Sequence, residues 1–342
     1  MEHIKVLVTH HLLEGRQDYL DQRISVSPKL KIVQRTCNTP DETAAALEGV
    51  EILFTGAVPS HLNCANRLKW VQLSAAGIDK STWSPIFDPD RGTIVTSAAG
   101  VHAVPMAEYC ITTMSMLARG FLQLFRDKLT KTRDRTHSPP VELWGQTLGI
   151  VGYGHTGREL ARLASVHQMH ILALKRNPNQ RHGWGYQWQG VGDPEGTLPQ
   201  RFFGPGQLHE LLRQSDFVVN CLPLTGETRD LFGKPEFQAM KSSAYFINVG
   251  RGKTVNEIAL TQALQKRIIA GAALDVWSTD PDPLPPHNPL WELDNVFISP
   301  HISGTRFSTN YLERIIVLFR DNLRRYVNDE PLFNVVTRDR GY

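Results

Sequence analysis

Three glycines at a recognisable spacing mark a candidate binding loop in this chain. Gly152, Gly154 and Gly157 form the GxGxxG pattern GYGHTG, directly after the apolar run TLGIV and directly before RELARLASV, which has helical periodicity. Such glycines allow a tight turn and a close backbone approach, so that a pyrophosphate can rest on the free amides of a helix N-terminus. In this strand and helix context the pattern predicts dinucleotide binding. A tightly packed strand-helix corner is the alternative.

A basic pair stands where many dinucleotide-binding domains carry a carboxylate. That carboxylate binds the ribose hydroxyls and is expected about 20 residues after the first glycine. Here Lys175 follows Gly152 by 23 positions, and Arg176 comes next. A guanidinium can grip a 2′-phosphate in a charge-assisted fork, and a nearby ammonium adds to the field. We therefore expect NADP to be preferred, with NAD also possible. Two solvated charges at a strand end are the alternative.

Three further stretches carry residue types that suit the reduction of a 2-oxo acid. They are INVGRG with Arg251, ALDVWSTDPDPLP with Asp275 and Asp280, and SPHISG with His301. Beside a nicotinamide, the arginine would bind the substrate carboxylate and polarise the carbonyl group, while His301 would donate a proton as hydride reaches C2. A carboxylate on the far ring nitrogen would hold the tautomer and favour the protonated ring. Asp275 could instead only cap its strand, and His301 could be an ordinary loop histidine.

Two series of alternating strands and helices must position these residues. Apolar runs lie at 4–10, 51–57, 69–77 and 92–100 in the first series, and at 147–154, 170–176, 216–224, 243–252, 271–277 and 295–304 in the second. This alternation predicts βα units on parallel sheets, in which ligands bind beyond the carboxyl ends of the strands.

Three segments stand apart from this alternation. Residues 106–126 have helical periodicity and are apolar for a surface helix, which favours burial against the other domain or a second subunit. Residues 177–206 are rich in glycine, proline and glutamine, so we expect a long irregular excursion of unassigned function. Residues 310–329 form an amphipathic helix that could fold back onto the first domain.

Length and composition limit the class of protein. A chain of 342 residues exceeds the usual size of one core, so two domains are expected. The net charge of +3 is small and spread along the chain, which argues against a nucleic-acid or membrane surface. No apolar stretch reaches the ~20 residues of a membrane helix, and the N-terminus lacks a signal-peptide pattern. The four cysteines show no zinc spacing, so we expect reduced thiols, no metal site and a cytoplasmic protein.

The order of the motifs GYGHTG, CLPLTGET, INVGRG, ALDVW and SPHISG resembles the D-isomer-specific 2-hydroxyacid dehydrogenase family, from about Gly77 to Asn334. The resemblance implies an α/β protein with two doubly wound parallel-sheet domains. Residues 1–104 and 305–342 would form a flavodoxin-like substrate-binding (catalytic) domain, into which a dinucleotide-binding Rossmann domain of residues 105–304 is inserted. It also implies a homodimer built through the long helix that starts the cofactor domain.

The resemblance also assigns roles to individual residues. Arg251 corresponds to the substrate arginine, His301 to the acid/base, and Asp280 to the acidic residue paired with that histidine. The family residue is usually a glutamate five positions after the aspartate of ALDV. Asp280 has this spacing from Asp275 but is one methylene shorter.

Further contacts are expected in the loops around the site. Asp275 matches a residue that hydrogen-bonds the nicotinamide carboxamide, Pro223 one that lines the cofactor cleft, and SAAGID (74–79) the loop whose backbone amides receive the substrate carboxylate. The expected cofactor contacts are Gly152, Tyr153, Gly154, His155, Thr156, Gly157, Lys175, Arg176, Leu222, Pro223, Val249, Gly250 and Asp275. The expected substrate contacts are Ala75, Ala76, Gly77 and Arg251.

These residues and the resemblance predict an oxidoreductase that uses NADPH to reduce a small 2-oxo acid, such as glyoxylate or hydroxypyruvate, to the D-2-hydroxy acid. The Lys175-Arg176 pair resembles the NADP-using glyoxylate/hydroxypyruvate reductase branch. The alternative is a dinucleotide-sensing scaffold, since some relatives act as transcriptional corepressors. The presence of Arg251, Asp280 and His301 argues against that alternative. A formate-type dehydrogenase is disfavoured, because that branch pairs its histidine with a glutamine.

Overall fold

The chain divides into two compact units. The computed structural model describes residues 3–10, 13–56, 58–78, 84–132, 140–304 and 310–336. One unit comprises Met1–Val101, Trp184–Tyr186 and Arg306–Tyr342, and the other comprises His102–Gly183 and Gln187–Thr305.

The first unit is built on a five-stranded parallel sheet. Its elements are β1 (Ile4–Val8), α1 (Gln17–Ile24), β2 (Leu30–Gln34), α2 (Pro40–Ala45), β3 (Ile52–Thr55), β4 (Trp70–Leu73), β5 (Ile94–Thr96) and α9 (Tyr311–Val327). The strand order β2-β1-β3-β4-β5, with parallel neighbours, is that of flavodoxin-like sheets. Strand β2 was not predicted, because this edge strand is only half-buried and carries no continuous apolar run.

The C-terminal helix α9 packs within the first unit, as its amphipathic pattern predicted. The ring of Phe319 lies 4.7 Å from that of Phe54 and 5.4 Å from that of Trp70, centroid to centroid. Near the end of the helix, the half-buried Tyr326 donates its hydroxyl to a carboxylate oxygen of the buried Glu51 at 2.7 Å. The helix therefore completes the core of a unit whose other elements lie some 200 residues earlier in the chain.

The second unit is built on a seven-stranded parallel sheet. Its elements are α3 (Ala103–Ala118), α4 (Phe121–Thr130), β6 (Thr147–Val151), α5 (His155–Val166), β7 (His170–Leu174), β8 (Arg201–Phe203), α6 (Leu208–Gln214), β9 (Phe217–Asn220), α7 (Lys234–Ala239), β10 (Tyr245–Asn248), α8 (Glu257–Gln265), β11 (Gly271–Leu274) and β12 (Val296–Ile298). The order β12-β11-β10-β9-β6-β7-β8 is the Rossmann order, in which the chain reverses direction across the sheet between β6 and β9. Ligands of such sheets bind beyond the strand ends at that reversal.

Both faces of the second sheet are covered. Successive strand residues point to opposite faces, so Ile150 and Val151 of β6 belong to two different buried clusters. Because both faces are buried, the strands read as continuous apolar runs. This burial is why the sequence predicted all of them except the edge strand β8.

The prediction of one helix over 106–126 is wrong in one respect, because the segment forms two helices, α3 and α4. Gly120 adopts a left-handed φ of +67°, which ends α3 and starts α4 at Phe121. Helix α3 buries Ala107, Cys110 and Met114 within its own unit, where it packs against α5. Neither helix, nor any other in the described part of the chain, is long and apolar enough to cross a membrane.

The excursion at 177–206 is more ordered than its composition suggested. Its end forms β8, which pairs in parallel with β7 at the edge of the seven-stranded sheet. Glycines and prolines hide this short strand, since RFF offers only three residues of pattern.

Candidate active site

The glycine-rich loop joins β6 to the N-terminus of α5, as the sequence predicted. Gly152 has a φ of +104°, and a Cβ there would lie 3.0 Å from the carbonyl carbon of Cys221. A Cβ on Gly157 would lie 2.4 Å from the carbonyl oxygen of Gly152. Packing of the loop itself therefore requires these two glycines. Gly154 differs, because a Cβ there would meet no described atom within 4 Å, which leaves space beside the free amides of the helix.

The side chains of this loop take three different positions. Tyr153 is buried and turned into the protein, so it can meet a ligand only through its backbone. His155 and Thr156 lie half-buried in the first turn of α5. The Thr156 hydroxyl is 3.6 Å from the sulfur of Met106.

The loops that follow β9, β10 and β11 lie against one another. A Cβ on Gly250 would be 2.6 Å from the carbonyl oxygen of Leu222, and one on Gly252 would be 1.7 Å from that of Trp277. Side chains at these positions would push the loops apart. The glycines thus bring the stretch containing Arg251 into direct backbone contact with both neighbouring loops.

The segment after β9 adds a neutral wall beside the glycine loop. Burial raises the pKa of Cys221 to about 12, so the thiol of this residue, whose backbone lies against Gly152, carries no charge at neutral pH. It is one of four free cysteines, as predicted. The half-buried Pro223 accepts a hydrogen bond from the Thr228 hydroxyl at 2.7 Å, and the buried Val249 donates its amide to Asn220 at 3.1 Å.

A buried amide network holds Arg251. The side-chain amide of Asn220 donates to Asn248 at 3.0 Å and to the hydroxyl of Thr254 at 2.7 Å, and that hydroxyl donates to the backbone carbonyl of Arg251 at 2.6 Å. The half-buried guanidinium donates to the carbonyl oxygen of Gly250 at 3.0 Å. Since the network is buried and bonded, the position of the arginine is fixed by the scaffold.

His301 and Asp280 form the pair that the sequence predicted. The Nδ1 atom of His301 lies 3.0 Å from each carboxylate oxygen of Asp280. The imidazole side chain is 47% exposed and the aspartate 12%. With Nδ1 committed to the carboxylate, Nε2 is the nitrogen left for proton transfer.

The backbone at His301 is in an uncommon conformation. Its φ is +53°, a left-handed value that costs a non-glycine residue roughly 1–3 kcal/mol. Its amide donates to the carbonyls of Asp275 and Ser299, both at 3.0 Å, which offsets part of this strain. Such outliers cluster at functional sites, where the surrounding structure over-determines them.

Asp275 holds the loop that carries His301. Its fully buried carboxylate accepts hydrogen bonds from the hydroxyl of Ser299 at 2.6 Å, the amide of Ile302 at 2.8 Å and the amide of Ser303 at 2.9 Å. The described contacts therefore give Asp275 the role of a strand-end anchor, which the sequence had left open.

Two residues of this anchor were missed by sequence reasoning. Burial raises the pKa of the Tyr109 phenol above its usual range, so the phenol stays protonated and donates to Ser299 at 2.7 Å. The chain of hydrogen bonds from Tyr109 through Ser299 to Asp275 fixes the carboxylate from behind. Nothing in the spacing of a helix and a distant strand reveals this contact. By contrast, the asparagines that end FVVN and YFIN could have been suspected, because a polar residue closes each apolar strand.

The basic pair lies just beyond β7. The ammonium of Lys175 donates to the backbone carbonyl of Gln180 and lies 5.9 Å from the ring centroid of Phe202. Burial lowers the pKa of Lys175, and the positive charge of Arg158 lowers it further. Arg176 is exposed, and its Nη2 is 3.9 Å from an oxygen of the exposed Glu227.

The loop at 74–79 belongs to the first unit. Ala75 follows β4 and is exposed, while Ala76 and Gly77 are half-buried. The carbonyl of Ala75 accepts the amide of Ala98 at 2.9 Å. Asp79, at the end of the motif, lies outside the described residues.

The fold and the arrangement of strand-end loops define a dinucleotide-binding α/β protein with a histidine and carboxylate pair. The sequence model of "D-isomer specific 2-hydroxyacid dehydrogenase, NAD binding domain" matches residues 111–303. A glyoxylate reductase from Aeropyrum pernix is 34% identical over 99% of this chain and 97% of its own length. The chain belongs to the D-isomer-specific 2-hydroxyacid dehydrogenase family, which confirms the resemblance and the fold class predicted from the motifs.

Other comparisons agree at different coverage. Glyoxylate/hydroxypyruvate reductase B from an Enterobacter species is 40% identical over 171 residues, half of this chain and 48% of its own. The chain spans about half the length of several curated relatives that it matches, between 48% and 59%. The crystal structure of a D-isomer specific 2-hydroxyacid dehydrogenase from Xanthobacter autotrophicus, in complex with NADPH and MES, superposes with a TM-score of 0.76 at 25% identity, covering all of both chains.

Proposed function

We propose that this chain is an NADPH-preferring reductase that converts a small 2-oxo acid, such as glyoxylate or hydroxypyruvate, into the D-2-hydroxy acid. The observation that carries the proposal is the pairing of His301 with Asp280 beyond the carboxyl ends of the same sheet that carries the glycine loop. Family membership supports it, as do the printed names of the glyoxylate reductases. The glycine loop and the His301–Asp280 pair both belong to the second unit.

In this proposal three side chains handle the substrate. Arg251 binds its carboxylate and polarises its carbonyl oxygen, because a guanidinium offers paired donors to such groups. His301 donates a proton from Nε2 to that oxygen as the hydroxyl forms. Asp280 stabilises the imidazolium and holds its tautomer through Nδ1. NADPH supplies the hydride to C2 when it is bound.

The residues present fit a dinucleotide. The open space at Gly154 beside the α5 amides suits a pyrophosphate, and Cys221, whose backbone lies against Gly152, carries no negative charge. Lys175 and Arg176 would hold the 2′-phosphate of NADP, although NAD use stays possible. The contact of Asp275 with the carboxamide stays part of the proposal, beside its role as the anchor of the loop.

We also propose a substrate-binding loop in the first unit and a division of the chain into a substrate domain and a cofactor domain. The backbone amides of Ala75, Ala76 and Gly77 would receive the substrate carboxylate, so residues 1–104 with 305–342 would be the substrate-binding domain. Residues 105–304 would be the cofactor domain.

We also propose a homodimer. The side chains of Phe121, Leu124, Phe125 and Leu129 on α4 are 42%, 46%, 55% and 81% exposed. A contiguous apolar face of this kind on a helix marks an interaction site more often than bare surface. A second copy of the chain is the partner that the family resemblance implies.

Steady-state turnover tests the proposed activity. The purified chain is incubated with glyoxylate, hydroxypyruvate and larger 2-oxo acids, each with NADPH and with NADH, and oxidation of the cofactor is followed by absorbance. We expect turnover with at least one small 2-oxo acid and a higher kcat/KM with NADPH. Tight NADPH binding without turnover on any acid would favour the dinucleotide-sensing scaffold instead.

A further inference from the structure

Tyr153, within the glycine loop, is bonded to the irregular excursion at 177–206. This excursion is called the inserted segment below. The hydroxyl of Tyr153 donates to a carboxylate oxygen of Asp193 at 2.6 Å. Its ring meets that of Phe202 edge-on at 5.4 Å, and the guanidinium of Arg158 lies 4.8 Å from the ring centroid. A side chain from the middle of the loop is therefore enclosed on several sides by the insertion and by α5.

Asp193 is itself held firmly. The amides of Thr197 and Leu198 donate to its two carboxylate oxygens at 3.0 and 3.2 Å, and the residue is 5% exposed. Burial and the hydrogen bond to Asp193 raise the pKa of Tyr153 above its usual range, so a neutral phenol donates to a carboxylate. Hydrogen bonds to charged groups are stronger than neutral ones.

The start of α5 adds two further ties to the same segment. Arg158 is buried and donates to the backbone carbonyl of Asp193 and, at 2.5 Å, to that of Arg181. The buried Glu159 accepts the amide of Gly192 at 2.6 Å. The insertion is thus bonded to the glycine loop and to the first turns of the helix that follows it.

The glycine loop needs such support. Tyr153 stands between Gly152 and Gly154, and glycine loses more conformational freedom on ordering than any other residue. Unless something else fixes the loop, part of the binding free energy of a ligand is spent on ordering it. Tyr153 is the residue between these glycines that has a side chain, and that side chain is anchored in the insertion.

We propose that the inserted segment is a positioning element of the cofactor site, in which Asp193, acting through Tyr153, holds the glycine loop ready for the pyrophosphate of the dinucleotide. The inference rests on the proposed function and gives a role to a segment for which the family pattern supplies none. Because the pyrophosphate is common to both cofactors, the effect concerns NADPH and NADH alike. It thereby differs from any contact with the 2′-phosphate.

Dissociation constants measured by cofactor fluorescence test this proposal. Tyr153→Phe removes only the hydroxyl, and Asp193→Asn keeps the shape of its partner. Each variant is expected to raise the dissociation constants of NADPH and NADH about fivefold to tenfold, because only part of the loss of one charge-assisted hydrogen bond reaches the ligand through the loop. The loss should appear mainly in the dissociation constants and KM values of both cofactors, and to a smaller extent in kcat. The double variant should be no weaker than either single variant, because both remove the same bond.

Tyr186→Phe is the matched control. Tyr186 lies in the same inserted segment and donates its hydroxyl to Asp321 at 3.0 Å, within the first unit. Its loss is expected to lower Tm but to leave both dissociation constants unchanged. The proposal is overturned if Tyr153→Phe lowers Tm while cofactor affinity stays at the parent value, or if Tyr186→Phe weakens cofactor binding equally. A parent protein that binds neither cofactor would instead refute the proposed function itself.

Discussion

At the scale of single residues, the central feature of the site is the ion pair between His301 and Asp280. The aspartate is one methylene shorter than the usual glutamate, yet both of its oxygens reach Nδ1 at 3.0 Å. The left-handed φ of His301, and the hydrogen bond from its amide to the carbonyl of Asp275, fix the position of the backbone from which the imidazole extends. Because the imidazole is half-exposed, the pair contributes little to stability, about 0–1 kcal/mol. The main effect of the pair is to orient the imidazole ring of His301.

The proposed preference for NADPH depends on Arg176. Replacing it with aspartate removes a charge-assisted contact to the 2′-phosphate and adds a repelling charge. The KM for NADPH should therefore rise tenfold or more, for a loss of about 1.5–3 kcal/mol. The KM for NADH should stay level or fall, since a carboxylate there can accept the ribose hydroxyls. Equal changes for both cofactors, measured by steady-state kinetics, would refute the assignment.

Lys175 predicts a pH dependence of the same preference. Burial, aided by Arg158, lowers its pKa, so the ammonium loses its proton at a lower pH than the usual value of about 10.4. As pH rises towards that value, the dissociation constant of NADPH should increase while that of NADH changes little. Lys175→Arg should flatten the NADPH curve, because a guanidinium stays charged. Parallel curves for the two cofactors in the parent protein would contradict the role of the lysine.

At the scale of elements, the sequence predicted the glycine loop and the strands other than β2 and β8, because burial on both sheet faces leaves a plain apolar signal. It could not show that Gly152 and Gly157 serve packing whereas Gly154 leaves open space, since the three look alike in the pattern. Nor could it reveal the bond of Tyr153 to Asp193, which joins residues 40 positions apart. The break at Gly120 was missed because apolar periodicity continues on both sides of it.

This difference between glycines gives a test within one loop. Gly157→Ala forces a methyl group against the carbonyl oxygen of Gly152. The free energy of unfolding should therefore fall by about 1–3 kcal/mol, and Tm should fall by several degrees. Gly154→Ala meets open space and should leave Tm unchanged while weakening NADPH binding at least about tenfold, a loss of about 1.4 kcal/mol. Calorimetry and fluorescence titration measure the two effects. An unaltered NADPH affinity in Gly154→Ala would show that the pyrophosphate does not rest there.

At the scale of the whole molecule, the two sheets have the strand orders that the motif resemblance implied, and the exposed face of α4 predicts assembly. Sedimentation should give twice the chain mass of 38.5 kDa. Phe125→Glu places a charge in the apolar face and should shift the equilibrium towards single chains. Ile258→Glu, at an exposed apolar residue on α8, is the control and should leave the mass unchanged. A parent protein that sediments as one chain at micromolar concentration would contradict the dimer.

Replacement of His301 by alanine, with turnover and cofactor affinity measured on the same preparation, tests the central claim most directly. The account predicts that kcat for reduction of the preferred 2-oxo acid falls by roughly 10²–10⁴, the usual contribution of a general acid. The dissociation constant of NADPH should stay within about twofold, because the glycine loop and the basic pair are untouched. Turnover close to that of the parent protein would contradict the account.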